Sequence, residues 1–256
     1  MHLVAYLASV NSATLVALNV IADDILSSPQ ANRFQVPADL NAIHGAAALG
    51  ATLARAQIQA PSLEVKRASL EVIPHEAGTV AFTLGAPRLF VPKREVVLAA
   101  PETLMFYANN AAGGADNEYG LIWLRKPGGI DPMPAGDIIA ARATSTTTLT
   151  ANAWTTCTMA LDKDLPAGKY ALVGFRAISA TGIAARALIT GQTYRPGVPV
   201  LAGTEAAARD FDPGNLEDFN WYNMGEFENI TVPQFQFLAS AADVAQVAIL
   251  YLVKIA

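Results

Sequence analysis

"VAQVAILYLVKIA", residues 244–256, reads as a β-strand with two apolar faces, and this property restricts the folds that the chain can adopt. One face would carry Val247, Ile249, Tyr251, Val253 and Ile255, and the other would carry Ala248, Leu250 and Leu252. An antiparallel sheet commonly keeps one face polar toward water. The sequence therefore predicts a sheet whose outer face is covered, either by another layer of the chain or by a neighbouring subunit. "YGLIWLRK" (119–126) has the same property.

Short alternating runs separated by turn residues continue from about residue 62 to the end, which is typical of a sandwich or barrel. Four hairpins are predicted from pairs of such runs, namely 103–109 with 119–126, 137–149 with 153–161, 169–178 with 182–190, and 229–239 with 244–255. The strands do not alternate with helices, which argues against a parallel α/β fold. We therefore predict an all-β sandwich.

The expected domain organisation is an N-terminal arm over 1–61 followed by the sandwich over 62–256. The segment 37–56 is Ala-rich and is predicted as a short helix capped near Asp39. The apolar N-terminus is expected to be an ordered arm or strand rather than a secretory signal. One elaborated sandwich is favoured over two small ones, because two would need about sixteen strands and the pattern yields about twelve to fourteen. The breaker cluster "PGGIDPMPAG" (127–136) would suit a boundary between subdomains.

Composition favours a chain that is covered by its neighbours. Charged residues make up 15% of the sequence and hydrophobic residues 52%, whereas an average protein has about 25% charged residues. No apolar run approaches the roughly 20 residues of a spanning helix, so no transmembrane segment is expected. The net charge is −5 and there is no basic tail, so we expect no direct binding of nucleic acid.

Catalytic signatures are missing from the sequence. It has no nucleophile elbow, HExxH helix, P-loop or dinucleotide fingerprint. The three histidines, His2, His44 and His75, are too few for a typical zinc site without several carboxylates. Cys157 alternates with polar residues and is predicted to be an inert, buried strand residue. We therefore expect no enzyme activity and no cofactor.

The stretch "RDFDPGNLEDFNWYNMGEF" (209–227) combines acids with aromatic rings. Its oxygen-bearing side chains make it a candidate Ca²⁺ loop, with Asp210, Asp212, Asn215 and Glu217 as ligands. Pro213-Gly214 interrupts the EF-hand spacing. Aromatic residues and Met favour protein contacts, so the predicted intersubunit contact comprises Phe211, Phe219, Trp221, Tyr222, Met224 and Phe227, with Tyr251 from the last strand. The alternative is that these rings pack back on their own sandwich.

Two features make the chain resemble viral and phage jelly-roll capsid proteins over about residues 62–256. They are "DLPAGKYALVGFRAI…GIAARALITGQTYRPG", which leads into the long loop 194–224, and the closing pair "NITVPQFQFLA…VAQVAILYLVKI". The resemblance implies a jelly roll whose loops and N-terminal arm bind neighbouring subunits. The chain departs from many small RNA virus capsid proteins because it lacks a basic arm, which favours a shell around a membrane or separately condensed DNA.

The expected function is therefore that of a major capsid subunit, with a bacteriophage among the expected sources, that is made in the host cytoplasm and assembles into an icosahedral virion shell. Its partners would be further copies of itself and other virion proteins. One alternative is a carbohydrate-binding or carbohydrate-cleaving sandwich with Trp123, Trp154 or Trp221 as the stacking platform. A second alternative is an accessory protein of the virion or tail.

Overall fold

The chain is all-β, as predicted, and falls into two compact units. The computed structural model describes residues 1–22, 31–65, 69–72, 74, 91–92, 94–110, 114–203 and 221–256. The described strands of the first unit come from residues 2–129, and those of the second from residues 130–256. The division at 129/130 falls inside the breaker cluster 127–136 and not at the predicted boundary, 61/62.

The first unit contains ten described strands and one short helix. They are β1 (His2–Val10), β2 (Val16–Ala17), β3 (Asn19–Val20), β4 (Phe34–Gln35), β5 (Ala42–Leu49), β6 (Leu53–Gln59), α1 (Pro61–Val65), β7 (Leu70–Val72), β8 (Val96–Val97), β9 (Thr103–Asn110) and β10 (Asp116–Arg125). One sheet has the order β3-β1-β10-β5-β8, and the other has the order β2-β9-β6-β7 with β4 also on β9. All the described pairings in these two sheets are antiparallel.

The second unit contains nine described strands. They are β11 (Ile138–Ser145), β12 (Trp154–Cys157), β13 (Ala160–Leu161), β14 (Lys169–Ser179), β15 (Gly182–Leu188), β16 (Gly197–Ala202), β17 (Gly225–Glu228), β18 (Gln234–Ala239) and β19 (Gln246–Lys254). β11, β19, β14 and β17 are neighbours in that order, and so are β12, β18, β15 and β16. The two groups join because β16 also pairs in parallel with β14, and the result is one curled sheet.

Both units share one topology, although no sequence repeat aligns between them. When the two-residue strands β3, β4 and β13 are left out, eight described strands remain in each unit, and they are counted here along the chain. One group of strands then has the order first, eighth, third, sixth, and the other has the order second, seventh, fourth, fifth. This is the connectivity of a jelly roll, which comprises eight strands in two Greek keys. The chain therefore carries two jelly rolls, and the expectation of a single elaborated roll was wrong.

Three of the four predicted hairpins are corners between two groups of strands and not hairpins. The remaining one, 137–149 with 153–161, is confirmed only at its ends, where β11 pairs antiparallel with β13, whereas β12 pairs with β18. β9 pairs with β6 whereas β10 pairs with β1 and β5. In the second unit, β18 pairs with β12 and β15 whereas β19 pairs with β11 and β14. A short connection between two apolar strands can fold back within a sheet or cross to the facing one, and local sequence does not distinguish these outcomes. The described neighbours in sequence that do pair include β6 with β7 and β15 with β16.

The Ala-rich segment 37–56 is not a helix. It forms β5 and the start of β6, with a turn at 51–52 between them. Every residue of β5 is buried, and the strand lies between β10 and β8. Helix propensity is a weak preference that tertiary burial overrides, and small side chains suit a strand that is covered on both faces. Residues 1–61 accordingly supply strands of the first roll rather than a separate arm, and 62–65 belong to α1 rather than to a strand.

Both units have well-filled apolar interiors. In β10, the four consecutive residues 121–124 are fully buried, so both faces of that strand are covered, as its sequence requires. Gly120 is needed there because a Cβ at this position would collide with the ring of Phe106. The core of the second unit is rich in aromatic and Leu side chains, among them Phe175, Phe235, Phe237, Leu250 and Leu252.

Candidate functional site

The strongest candidate contact surface is the outer face of the β11–β19–β14 sheet in the second unit. We call this surface the outer face and define it by Ile138, Ala140, Ile249, Tyr251 and Trp221. The even-numbered residues 248, 250 and 252 of β19 belong to the main core. Ile249 and Tyr251 are only partly buried on the opposite face of the strand, and Ile138 and Ala140 of β11 are exposed. The closing strand thus has two apolar faces, and the outer one remains partly accessible.

Trp221 and Tyr251 form the centre of this surface. Their ring centroids are 5.1 Å apart and the rings are nearly perpendicular, at 82°. Together with Ile255 they pack on a small buried cluster of Ala171, Val173 and Val253. Edge-to-face rings are rigid and present a large apolar area. These two residues of the predicted contact therefore have a geometry suited to binding a protein partner.

Three other members of the predicted contact are core residues of the second unit. Tyr222, Met224 and Phe227 are each at most 5% exposed. Phe227 stacks on Tyr170 at 6.0 Å, and burial raises the pKa of the Tyr222 phenol well above its usual value. For these residues the alternative prediction, that the rings pack on their own sandwich, agrees with the structure. The prediction that they form an intersubunit contact was wrong, because their side chains are already enclosed.

The remaining residues of the 209–227 stretch that were predicted to function lie outside the described residues. They are Phe211, Phe219 and the four candidate Ca²⁺ ligands Asp210, Asp212, Asn215 and Glu217. His75 lies outside them as well. Within the described part of the chain, no three His, Cys, Asp or Glu side chains are grouped so as to hold a metal ion.

Two arginines are buried together in the second unit, a feature that the sequence pattern did not reveal. Arg186 of β15 and Arg195 both donate to Oε1 of Gln236, at 2.8 and 2.7 Å. The guanidinium of Arg186 also lies 4.0 Å from the ring centroid of Trp154. Gln236 in turn donates to Thr156 at 3.2 Å. Arginine in the strand "GIAARAL" was the available signal, since charged residues are seldom fully buried without a partner.

Cys157 and His44 have environments that oppose reactivity. Burial raises the pKa of the Cys157 thiol to about 11, although Ser145 and Thr147 act in the other direction. A reactive cysteine needs the opposite shift, so the prediction of an inert, buried strand residue fits this environment. Burial, and then the positive charge of Arg125, lower the pKa of His44 to about 4. His44 is therefore neutral at physiological pH.

Asp243 fixes the loop between β18 and β19 to the corner between β14 and β15. Its carboxylate accepts hydrogen bonds from the Ser179 hydroxyl at 2.5 Å and from the amide of Ala180 at 2.8 Å. The amides of Val244 and Ala245 donate to its other oxygen, at 2.7 and 3.3 Å. Burial alone would raise the pKa of Asp243, but these hydrogen bonds together lower it.

Replacing Asp243 with Asn is expected to destabilise the second unit by about 1–3 kcal/mol at pH 7, because hydrogen bonds to a charged acceptor are lost. A carboxyl whose pKa is lowered by folding stabilises above its unfolded pKa and loses that effect as the pH falls. The difference between wild type and Asp243→Asn should therefore shrink below about pH 4. Urea unfolding at about pH 7 and about pH 3.5 measures it.

The matched control is Asp162→Asn. Asp162 pairs with Arg142 at 2.7 Å, but both side chains are substantially exposed. Exposed pairs contribute about 0–1 kcal/mol, so this variant should stay close to wild type. Equal losses in the two variants would show that Asp243 has no special role.

Comparison of the chain with protein-family models, curated proteins and solved structures gave no match. No helix in the described part of the chain is long and apolar enough to cross a membrane. Any inference about function therefore depends on the fold and on the surfaces described above.

Proposed function

We propose that this chain is a structural virion protein, a major capsid subunit that assembles with further copies of itself into an icosahedral shell. The observation that carries the proposal is the jelly-roll strand order, which occurs in both units. Jelly rolls are common in viral capsid proteins, but they also occur in lectins and cupins. Fold alone does not define function, so the surfaces must support the choice.

The interior of the second roll supports a structural role. The inner sides of its strands contribute to one apolar core cluster, whose members lie between Ala143 and Leu252 in the sequence. A binding or catalytic roll of the cupin type uses its interior for ligands and polar groups, whereas a building block fills it. This interior is therefore the kind expected of a structural subunit rather than of a ligand-binding roll.

The surface supports self-association. Only 15% of the residues are charged, and the outer face places Ile138, Ala140, Ile249 and the Trp221–Tyr251 pair where water reaches them. Assembly would bury these side chains, and each Å² of apolar surface removed from water would stabilise the contact by about 25 cal/mol. A second copy of the chain is the partner we propose for this face, because a shell is built by contacts between copies of its subunit.

Two of the three tryptophans do not favour the carbohydrate alternative. Trp123 is fully buried, and the ring face of Trp154 is occupied by Arg186. Trp221 contacts Tyr251 with the two rings nearly perpendicular and stays partly exposed. A sugar platform needs a ring face open to solvent, and neither Trp123 nor the occupied face of Trp154 offers one. Screening the purified chain for glycan binding and glycoside hydrolysis should give no signal above background, and specific binding would favour the alternative.

Size-exclusion chromatography combined with negative-stain imaging tests the proposal directly. We expect large regular particles, or capsomer-sized oligomers that convert to them as the concentration rises. Measuring the copy number in purified particles would separate a major shell subunit from an accessory protein, since a shell subunit must be the most abundant chain.

A further inference from the structure

A carboxyl group is buried in the first unit next to a second carboxyl. Glu118 lies in β10 opposite Ala8 of β1 and is fully buried. Its Oε1 is 3.2 Å from Oγ1 of Thr52, and its Oε2 has no hydrogen-bond partner among the described residues. An ionised carboxylate in such a place would lose its hydration without full compensation.

The hydroxyl of Thr52 lies between the two carboxyls. Oγ1 of Thr52 is also 3.3 Å from Oδ2 of Asp116. A hydroxyl has one hydrogen to donate, so it can satisfy only one ionised carboxylate. The other contact becomes a hydrogen bond if that carboxyl carries a proton and donates it to Oγ1. Both contacts can therefore be hydrogen bonds only if one of the two carboxyl groups carries a proton.

The proton belongs on Glu118 rather than on Asp116. Asp116 is partly exposed, and its side chain already accepts a hydrogen bond from the amide of Asn117 at 2.8 Å. Glu118 is enclosed, and a Cβ on Gly50 would overlap its carboxyl group. Gly50 thus leaves a niche that holds this carboxyl in place beside Thr52.

We propose that Glu118 is protonated in the folded chain near neutral pH and that the hydrogen-bonded series of Glu118, Thr52 and Asp116 is a proton-dependent lock on the corner between β5 and β6. In the locked form, Glu118 donates to Thr52 and Thr52 donates to Asp116. Loss of the proton places two negative charges on either side of one hydroxyl and loosens the corner. The proposal does not depend on the proposed function.

The ionisable groups around Glu118 agree with this assignment. Burial, and then the negative charge of Asp116, raise its pKa to about 7, while the Thr52 hydroxyl acts in the other direction. β1 presents Ala8 to this position and β5 ends in Leu49. On β6 the nearest basic residue, Arg55, is paired with Glu71 at 2.6 Å. Tyr119 lies on the other face of β10, and burial, followed by the negative charge of Asp116, raises its pKa to about 12. Among the described residues, no basic side chain stabilises the charged form of Glu118.

The sign of the pH dependence follows from linkage. The folded-state pKa of Glu118 is above its unfolded value, so the folded chain binds the extra proton more tightly between about pH 4.5 and pH 7. The contribution of this group to stability is present at low pH and is lost as the pH rises through about 7. Alkaline conditions should therefore weaken the first unit.

The test compares thermal unfolding of wild type, Glu118→Gln and Glu228→Gln at about pH 5 and about pH 8. The amide introduced by Glu118→Gln imitates the protonated acid, so this variant should raise Tm by about 5 °C at pH 8 and by much less at pH 5. Glu228 is exposed, and its variant should leave Tm close to wild type at both values. Equal shifts of Glu118→Gln at the two pH values would overturn the proposal.

Infrared spectroscopy provides a second measurement that does not need a stable variant. Wild type at about pH 6 should show the carbonyl band of a protonated carboxyl, and the band should disappear as the pH rises to about 9. Where Glu118→Gln folds, the band should be missing from its spectrum. A wild-type spectrum without such a band at the lower pH would contradict the proposal, whatever the variants do.

Discussion

Replacing Phe235 with Ala should lower the free energy of unfolding of the second unit by about 3–5 kcal/mol, the usual cost of removing a buried ring. Phe235 is fully buried in β18 and meets Phe175 edge-on, with 4.8 Å between the ring centroids. Because β18 and β14 lie in the two different groups of strands, this contact links the two faces of the roll. A native domain is stable by only about 5–15 kcal/mol, so the loss is a large fraction of the total.

Urea unfolding followed by tryptophan fluorescence measures this loss. Ile230→Ala is the control, because Ile230 is 85% exposed in the turn after β17, and its removal should cost less than about 0.5 kcal/mol. A loss below about 1 kcal/mol for Phe235→Ala would mean that the two groups of strands do not share the core described above.

The second large effect concerns assembly. The double variant Ile138→Lys with Ala140→Lys should fold as wild type does but should fail to form particles. Both residues are exposed on β11 and pair with Val253 and Tyr251 of β19. Two ammonium groups would have to be desolvated if a second copy covered the outer face, and unpaired buried charges are strongly unfavourable. The Trp221–Tyr251 pair is left intact, so folding should be little affected.

The matched control places two lysines elsewhere on the same unit, at Ile230 and Val244. Both positions are exposed, by 85% and 55%, and lie in connections outside the strands. This variant has the same net charge as the first, so a general effect of charge would appear in both. Sedimentation velocity and circular dichroism report association and folding separately. Normal particles from the Ile138→Lys, Ala140→Lys variant would show that the outer face does not mediate assembly.

The sequence predicted the strands better than it predicted their partners. The approximate spans of β9, β10 and β19 and the buried position of Cys157 in β12 were predicted from alternation. The two apolar faces of β10 and β19 were also predicted, and the structure covers both faces in β10. Alternation depends only on neighbours in the chain, so it is readable without the fold.

Partners depend on residues far away in sequence. β1 pairs with β10 across more than a hundred residues, and nothing local to either strand indicates this pairing. Several strands, such as β8 and β17, contain two or four residues, which is too short for a periodic pattern. These strands are the reason that the count fell below the number that two jelly rolls require.

The candidate surfaces show the same difference between what local sequence predicts and what distant residues decide. Trp221 and Tyr251 were predicted as contact residues from their type, and the structure leaves both partly exposed. Tyr222 and Phe227 are of the same type but are buried, because they pack into the core of the second unit. Glu118 was missed, although an acid next to the apolar run "YGLIWL" is a readable signal. Its meaning depends on Thr52 and Gly50, which only the β5–β6 turn brings near.

Self-assembly is best tested by imaging the purified chain in negative stain at high protein concentration, with its mass measured by light scattering. We expect closed particles or regular arrays built from many copies, in wild type and in the Ile230→Lys, Val244→Lys control. A folded chain that stays monomeric at every concentration, with the mass of 26.9 kDa expected for one copy, would contradict the proposed function.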